Sequence, residues 1–459
     1  MKFTTYFTNA TACLLLFSAV SCEKMLVVDG PVEQLNTQQV FESVSTADAA
    51  LSHLYSELQS GGFISGGSLG SGAVLGTYTD ELISYSSSMQ NATYDLYNNV
   101  QGSSNLTVKM VWGNAWSHIY MANAIIHGIK NSSTIPSDDQ RRIKGEALLV
   151  RTLLYLQLLQ IFGDIPYTTT TDYQINQQLK KQSETEILSY LRQDAADAAE
   201  LLSDEYRSYE RIYPNRKVAQ MIHATVLLTA GDPATAEGVL RDIIASPLYE
   251  METNLEDTFQ KEGTHILWQL KPLYFGEPTQ EALLYYFQST LPSSFTLSDA
   301  LVDSFAPGDL RKERWILPLA VNGKQYYRAV KYKNVESNTE EYSILYRLSE
   351  AYLMLAEAMI QQDKKNEALP YLNAVRRKAG LEPFQAAGSK QQMLDDLLQE
   401  YRHEFFTERG IRFTTLKRLG RLDVLSSTKP GWKTFHRRWP LPFSDLMLNN
   451  NLNPQNDGY

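Results

Sequence analysis

The sequence predicts a mostly α-helical protein, a helical-repeat scaffold carrying large insertions of loop and short strand. Three observations predict it. Apolar residues recur at three- and four-residue spacing through most long segments, the pattern of one buried helix face. Ala-rich segments of this kind come in pairs joined by tight turns, at Gly231-Asp232-Pro233 and at Asp363-Lys364-Lys365-Asn366. Two stretches, about 60–110 and 246–340, break the rhythm with Gly, Pro, Ser and aromatic residues.

The N-terminal segment carries a localisation signal. Lys2 supplies a positive start, Ala12 to Val20 an apolar run, and Ala19-Val20-Ser21 a compact site before Cys22. Residues 1–21 therefore read as a secretory signal peptide. The run is shorter than the roughly 20 apolar residues of a spanning helix. A Cys directly after such a site resembles a lipobox, which implies that Cys22 is diacylated and becomes the mature N-terminus. Two acyl chains anchor stably where one does not. Cys13 and Cys22 are the only cysteines, so the mature chain has no disulfide to lean on. Residues 22–36 read as a lipidated tether, broken at Gly30-Pro31.

A single domain is expected over 37–459. Val40, Phe41, Val44, Leu51, Leu54 and Tyr55 lie near helical spacing and predict a helix over 37–59. The Gly-, Ser-, Asn- and Tyr-rich stretch 60–110 reads as a long loop region, and Gly66 to Gly72 as a flexible loop. Helices resume near Val111. Ser137-x-x-Gln140 has the form of a capping box, and so does Ser183-x-x-Glu186. Residues 145–161 are apolar almost all round, which predicts a central buried helix stopped at Gly163-Asp164-Ile165-Pro166. Residues 214–230 and 233–245 form an antiparallel pair. His265-Ile266-Leu267-Trp268 reads as a short strand in the second insertion. Leu345, Leu348, Tyr352, Leu355 and Met359 mark one helix face, followed by a partner helix to Gly380 and a long helix over 389–409. Residues 421–459 read as mostly irregular. The helix pairs resemble tetratricopeptide units without a strict period, so the fold is a decorated tetratricopeptide-like scaffold.

Composition narrows the function. With a net charge of -10, the chain lacks the basic balance that phosphate binding needs, which argues against nucleic acid and against anionic lipid. There are 27 Tyr and 6 Trp, side chains suited to half-exposed surfaces. The seven His (His53, His118, His127, His223, His265, His403 and His436) show no metal-ligand spacing. The glycine run lacks the Lys-Ser/Thr of a phosphate loop, and no G-x-S-x-G elbow occurs. Glu146, Arg151, Arg347, Glu350, Glu357 and Arg376 sit inside apolar helices and read as structural ion pairs. Glu400, Glu404 and Glu408 share a face with Arg402, Arg409 and Arg412 nearby. Those arginines would depress the carboxyl pKa values, which is wrong for the general acid of a glycosidase. No catalytic residue, metal or cofactor is expected.

Four ordered stretches resemble the SusD/RagB family. They are Lys144 to Arg151 continuing to Phe162-Gly163-Asp164-Ile165-Pro166; Arg347 to Ala358 with Leu372 to Arg376 and Ala379-Gly380-Leu381; Glu400-x-Arg402-x-Glu404 with Glu408, Gly410, Arg412 and Leu416-Lys417-Arg418; and Trp439-Pro440-Leu441-Pro442 through Asn453 to Tyr459. Thr415 departs from the Asp usual before Leu-Lys-Arg. Glu23-Lys24 departs from the acidic run usual after the lipidated Cys of surface-directed members. The resemblance implies a SusD-like fold and a lipid-anchored outer-membrane protein facing the extracellular side. It implies that the protein binds a nutrient, a glycan in preference to a peptide, and delivers it to a SusC-type TonB-dependent transporter. Family ligand sites draw on the two insertions. In the first, the candidates are Tyr78, Asp80, Tyr85, Tyr94, Tyr97 and Trp112; in the second, Trp268, Tyr274, Phe275, Trp315 and Tyr326. Trp116, Tyr120 and Asn123 continue helically from Trp112 and read as core. The competing readings are a peptide-binding member of the same uptake system, a tetratricopeptide-type protein-interaction scaffold, and a secreted hydrolase.

Overall fold

A computed structural model of the chain describes residues 37–85 and 92–459. The signal peptide, Cys22 and the tether fall outside the described residues.

A short turn over Thr37–Val40 precedes helix α1 (Val44–Ser60). The single helix expected over 37–59 is interrupted because Ser43 takes an extended conformation and caps α1, its Oγ accepting from the Thr46 N–H at 3.2 Å. The first insertion is more ordered than a loop. It contains α2 (Ser71–Tyr78), every residue of which is buried, strand β1 (Leu82–Ser84) and α3 (Ala92–Asn98). Its glycines from Gly62 to Gly76 are spacers for close packing, while Gly61 ends α1. A Cβ on Gly72 would lie 2.1 Å from the Thr407 carbonyl oxygen, so α2 can lie against that chain only with glycine there.

α4 (Leu106–Lys130) starts five residues before the expected Val111, because the Asn105 side chain caps it through the Val108 N–H. α5 (Ser137–Phe162) is the central helix, buried from Gly145 onward except at Gln157. It is long and apolar enough to span a membrane by composition, yet it is enclosed by the rest of the fold. The capping box expected at Ser137 does not form. Ser137 is the first helical residue after Pro136, and Gln140 turns back to the carbonyls of Ser132 and Ile135. Ser183 and Glu186 do form theirs at the head of α6 (Glu184–Leu201).

α7 (Arg216–Thr229) and α8 (Pro233–Ile244) are the expected pair. α9 (Leu348–Gln361), α10 (Lys365–Lys378), α11 (Lys390–Phe405) and α12 (Ile411–Arg418) make the final third. From α4 to α11 each helix packs on its neighbour, with α8 resting directly on α9 and residues 245–347 leaving the stack between them. Leu345 is not on the α9 face. It lies in a strand, where the neighbouring residues are buried on both sides.

The second insertion holds the remaining strands. β1 pairs antiparallel with β3 (Phe295–Leu297), which ties the two insertions together. β4 (Ile316–Val321) and β5 (Lys324–Ala329) form a hairpin through Asn322-Gly323, both at positive φ, the geometry that an Asn-Gly turn supplies. β2 (Ile266–Leu270) pairs with β6 (Ser343–Arg347). The C-terminal chain carries one more helix, α13 (Phe443–Leu448), and then folds back over the start of the molecule. Asn456 donates to the Phe162 and Trp439 carbonyls, the Tyr78 hydroxyl donates to the His436 carbonyl, and Gln101 donates to the Tyr459 hydroxyl.

Candidate functional site: a tyrosine face and an aromatic cleft

The charges inside the helices are paired. Glu404, fully buried, accepts from Arg347, from Lys378 Nζ at 2.6 Å and from Arg311 at 3.4 Å. Glu400 bridges Arg311 and Arg376, and Glu408 bridges Lys331 and Arg347. Burial alone would raise the Glu404 carboxyl, but Lys378, Arg347 and Arg311 outweigh it and hold it well below the usual carboxylate range. Glu146 meets Arg142 and Arg207, Arg151 meets Asp194, and Arg418 holds Glu357. These groups act as fold-holding pairs, as the sequence suggested.

Several sequence candidates prove to be packing residues. Trp268 is fully buried between Tyr55 and Tyr346, with its indole N–H on the Ile212 carbonyl. Trp315 is enclosed by Phe259 and Phe406 and donates to the Leu255 carbonyl. Tyr78 packs among Phe413, Trp432 and Trp439. Asp80 is bound by both Arg412 and Arg402. Burial raises its carboxyl, but the two guanidiniums prevail and lower it. None of these four faces solvent as a ligand platform would. The physical reason is tertiary: β2, α2, the turn after α2 and the short helix Leu310–Trp315 that carry them are covered by their neighbours. Tyr274 and Phe275 stand at the other extreme, 73% and 95% exposed on a turn whose Glu277 carboxylate accepts from the Tyr274 N–H.

The remaining insertion tyrosines come together. Tyr85, just past β1, meets Tyr326 of β5 edge-on at 5.6 Å, and Phe287 meets Tyr326 at 6.5 Å. Tyr94 and Tyr97 of α3 lie 6.4 Å apart. Burial pushes the Tyr97 hydroxyl up and the Tyr85 and Tyr94 hydroxyls add to the shift, so the three share one electrostatic neighbourhood. Lys429 sits 4.2 Å over the Tyr97 ring, and Arg328 lies over Tyr286 while donating to the Phe287 carbonyl. Tyr85, Tyr94 and Tyr97 remain partly open, whereas Tyr326 is buried and backs the Tyr85 ring. Among the described residues, this tyrosine face is the one place where candidates from both insertions touch.

Sequence reasoning missed a second concavity. Trp112, a candidate, does not join the tyrosine face. With Trp116, Ile119, Tyr120 and Asn123 it lines a cleft of about 530 Å³, closed by the 166–179 segment and by Asp445, Leu448, Asn449 and Leu452. Asn123 is buried as expected, but Trp116 is half-buried and Tyr120 is 53% exposed. Trp112, Trp116 and Tyr120 recur every four residues, a stripe that could have flagged the face; part of the facing wall, Asp445 to Leu452, is more than 300 residues away in sequence.

Two buried carboxyls near these loops, Glu81 and Glu281, are pushed up by burial to about 7. Burial pushes Glu281 from 4.5 up to about 7, against the Ser343 hydroxyl that donates to it at 2.7 Å. The native chain keeps this proton while the unfolded chain releases it. The associated stability is full below about 4.5 and is lost as pH rises through about 7. Glu281→Gln should therefore raise stability at pH 8 by about 1–3 kcal/mol and leave it nearly unchanged at pH 4, measured by denaturant titration at both pH values. Equal shifts at both would refute the titration.

Known proteins resemble this chain in sequence and fold. Residues 62–228 match the SusD-like family described as starch-binding and associating with the outer membrane, and residues 320–459 match the SusD family. A SusD-like protein of Formosa agariphila is 23% identical over 97% of this chain and 98% of its own length. A SusD superfamily protein from Bacteroides vulgatus superposes with a TM-score of 0.78 at 18% identity, covering 91% of this chain and 99% of that one. Surface glycan-binding protein A from Bacteroides thetaiotaomicron, solved in complex with laminarihexaose, superposes at 0.74 with 15% identity, over 90% and 99%. Two family matches in chain order, near full-length relatives and the shared fold together place this chain in the SusD/RagB family.

Proposed function

We propose that this protein is a lipid-anchored outer-membrane protein that captures a glycan on the tyrosine face and hands it to a SusC-type TonB-dependent transporter. One observation carries the reading. Tyr85 from the first insertion and Tyr326 from the second are in ring contact, with Tyr94, Tyr97 and cationic neighbours alongside. Tyrosine rings offer apolar faces to sugar C–H groups and hydroxyl tips to sugar hydroxyls. The laminarihexaose complex of the similar glycan-binding protein supports glycan over peptide as the ligand class. The family's description as associating with the outer membrane supports the location, and Cys22 supplies the attachment.

Calorimetric titration with neutral oligosaccharides tests the capture step. Saturable binding without product on long incubation is expected. Tyr94→Ala should weaken it about five- to thirtyfold, since a stacked ring contributes about 1–2 kcal/mol. Unchanged affinity in that variant would remove the tyrosine face from the reading. Cys22→Ser should release the protein from membranes, and affinity capture from outer membranes should recover a transporter-sized partner with the lipidated form alone. Recovery of peptides with no sugar bound would replace the glycan by a peptide.

A further inference from the structure

The cleft beside Trp112 shares no residue with the tyrosine face. We propose that it is a second glycan site, built for an uncharged sugar ring. The ligand class rests on the glycan-capture reading; the existence of the site does not.

The cleft is preorganised. Its volume, about 530 Å³, falls in the usual range for small-ligand sites. Its floor is the end of an aromatic ladder in which Trp112 meets Trp116 at 5.5 Å, Trp116 meets Tyr155 at 5.7 Å, and Tyr155 meets Tyr167 at 4.7 Å. Tyr155 and Tyr167 are held in turn by hydrogen bonds to the Thr168 carbonyl and the Asp194 carboxylate. The Trp116 ring therefore has a fixed attitude.

An unmet hydrogen bond points to a ligand. Nε1 of Trp116 is buried and has no partner among the described residues. A buried indole N–H without an acceptor is costly; Nε1 has no surface open to the cleft as it stands, so a ligand oxygen reaches it once the cleft wall gives slightly. Trp112, by contrast, donates to Asp445 Oδ1 at 3.0 Å, and Ser444 donates to Oδ2 at 2.9 Å. Each of those oxygens keeps a further lone pair to accept from a ligand hydroxyl. Tyr120 and Tyr173, 53% and 76% exposed, supply ring surface to the same cleft.

Charge and polarity select among ligands. Asp445 is the one acidic or basic side chain among the lining residues. A uronic acid, a sulfated sugar or a peptide carboxylate would meet a like charge and no cation. A wholly apolar segment would leave the Trp116 N–H unpaired and strip water from Asp445. A neutral sugar ring satisfies both, with C–H faces for the aromatic rings and hydroxyls that accept from Trp116 and donate to Asp445.

The test is calorimetry on the purified full-length chain with laminarihexaose, maltohexaose and xylohexaose, beside oligogalacturonate and an apolar uncharged hexapeptide. Tyr173→Ala removes an exposed side chain and Trp116→Phe keeps an apolar ring, so both variants should fold. A neutral hexasaccharide is expected to occupy two sites. Either cleft variant should weaken one of them at least tenfold, while Tyr94→Ala weakens only the other. Oligogalacturonate should not compete at the cleft, and the Trp116 indole N–H resonance should move on binding. A single site lost in Tyr94→Ala and untouched by the cleft variants overturns the second site and keeps the first. A single site lost only in the cleft variants keeps this proposal and overturns the tyrosine face. Hexapeptide binding that the cleft variants abolish, with no sugar bound there, overturns the sugar assignment, as does the absence of all binding.

Discussion

Glu404→Gln is expected to destabilise the protein by about 3–5 kcal/mol, the usual result of removing one partner from a buried ion pair. Gln keeps the shape, so the loss reports charge. Arg347, Lys378 and Arg311 would be left facing a neutral amide in a region where all three are essentially closed to water. Lys378 is already pushed down to about 8 by burial, with Glu404 as the largest opposing influence. The contrasting control is Glu256→Gln. That carboxylate pairs with Arg314 and Lys333 at the surface, where such pairs contribute about 0–1 kcal/mol. Equilibrium denaturation of the two variants compares the sites directly. A Glu404→Gln loss below about 1 kcal/mol would show that the network relaxes or hydrates. The acid limb should differ too. Because the folded Glu404 carboxyl lies below its ordinary 4.5, its contribution is present above that pH and lost as pH falls through the folded value.

Trp268→Ala should cost about 3–5 kcal/mol of stability and leave the glycan affinity of the folded fraction unchanged. The ring is enclosed by Tyr55 and Tyr346, and its N–H is satisfied by backbone. Truncation opens a cavity where β2 meets the helices, with no path to solvent. Thermal denaturation and calorimetry on the same preparation separate the two effects. A folded Trp268→Ala protein of normal stability with weakened binding would restore the residue to the ligand site.

These two residues divide what sequence told: the pairing of Glu404 was read from it, and the covering of Trp268 was not. Periodicity marked α7 and α8 because each presents a face that registers over several turns, and α5 was marked by its near-continuous apolar run. The Ser183 box formed and the Ser137 box did not, since capping also needs an extended residue ahead of the helix, and Pro136 holds that position. The glycines near 70 misled because a glycine that loosens a loop and one that admits a neighbouring backbone look alike in sequence; only the Thr407 contact, some 335 residues on, separates them. Aromatics in an irregular stretch posed the same difficulty. Trp268 and Tyr85 have similar local settings, and cross-strand and interhelix covering decides that one is enclosed and the other open. The cleft was hidden because its walls belong to α4, the 166–179 segment and the C-terminal chain, three regions joined only in three dimensions.

The fold-back of the C-terminal chain has a consequence in time. The Tyr78 hydroxyl closes on a carbonyl 358 residues later in the sequence. The pocket around α2 is therefore missing three of its walls, Trp432, His436 and Trp439, while the ribosome is still reading the last stretch. At roughly 5–20 residues per second, the emerging α2 waits on the order of 20–70 s for these neighbours. Contacts of such long range also slow folding once the chain is complete. Until then its apolar residues stay available to chaperones.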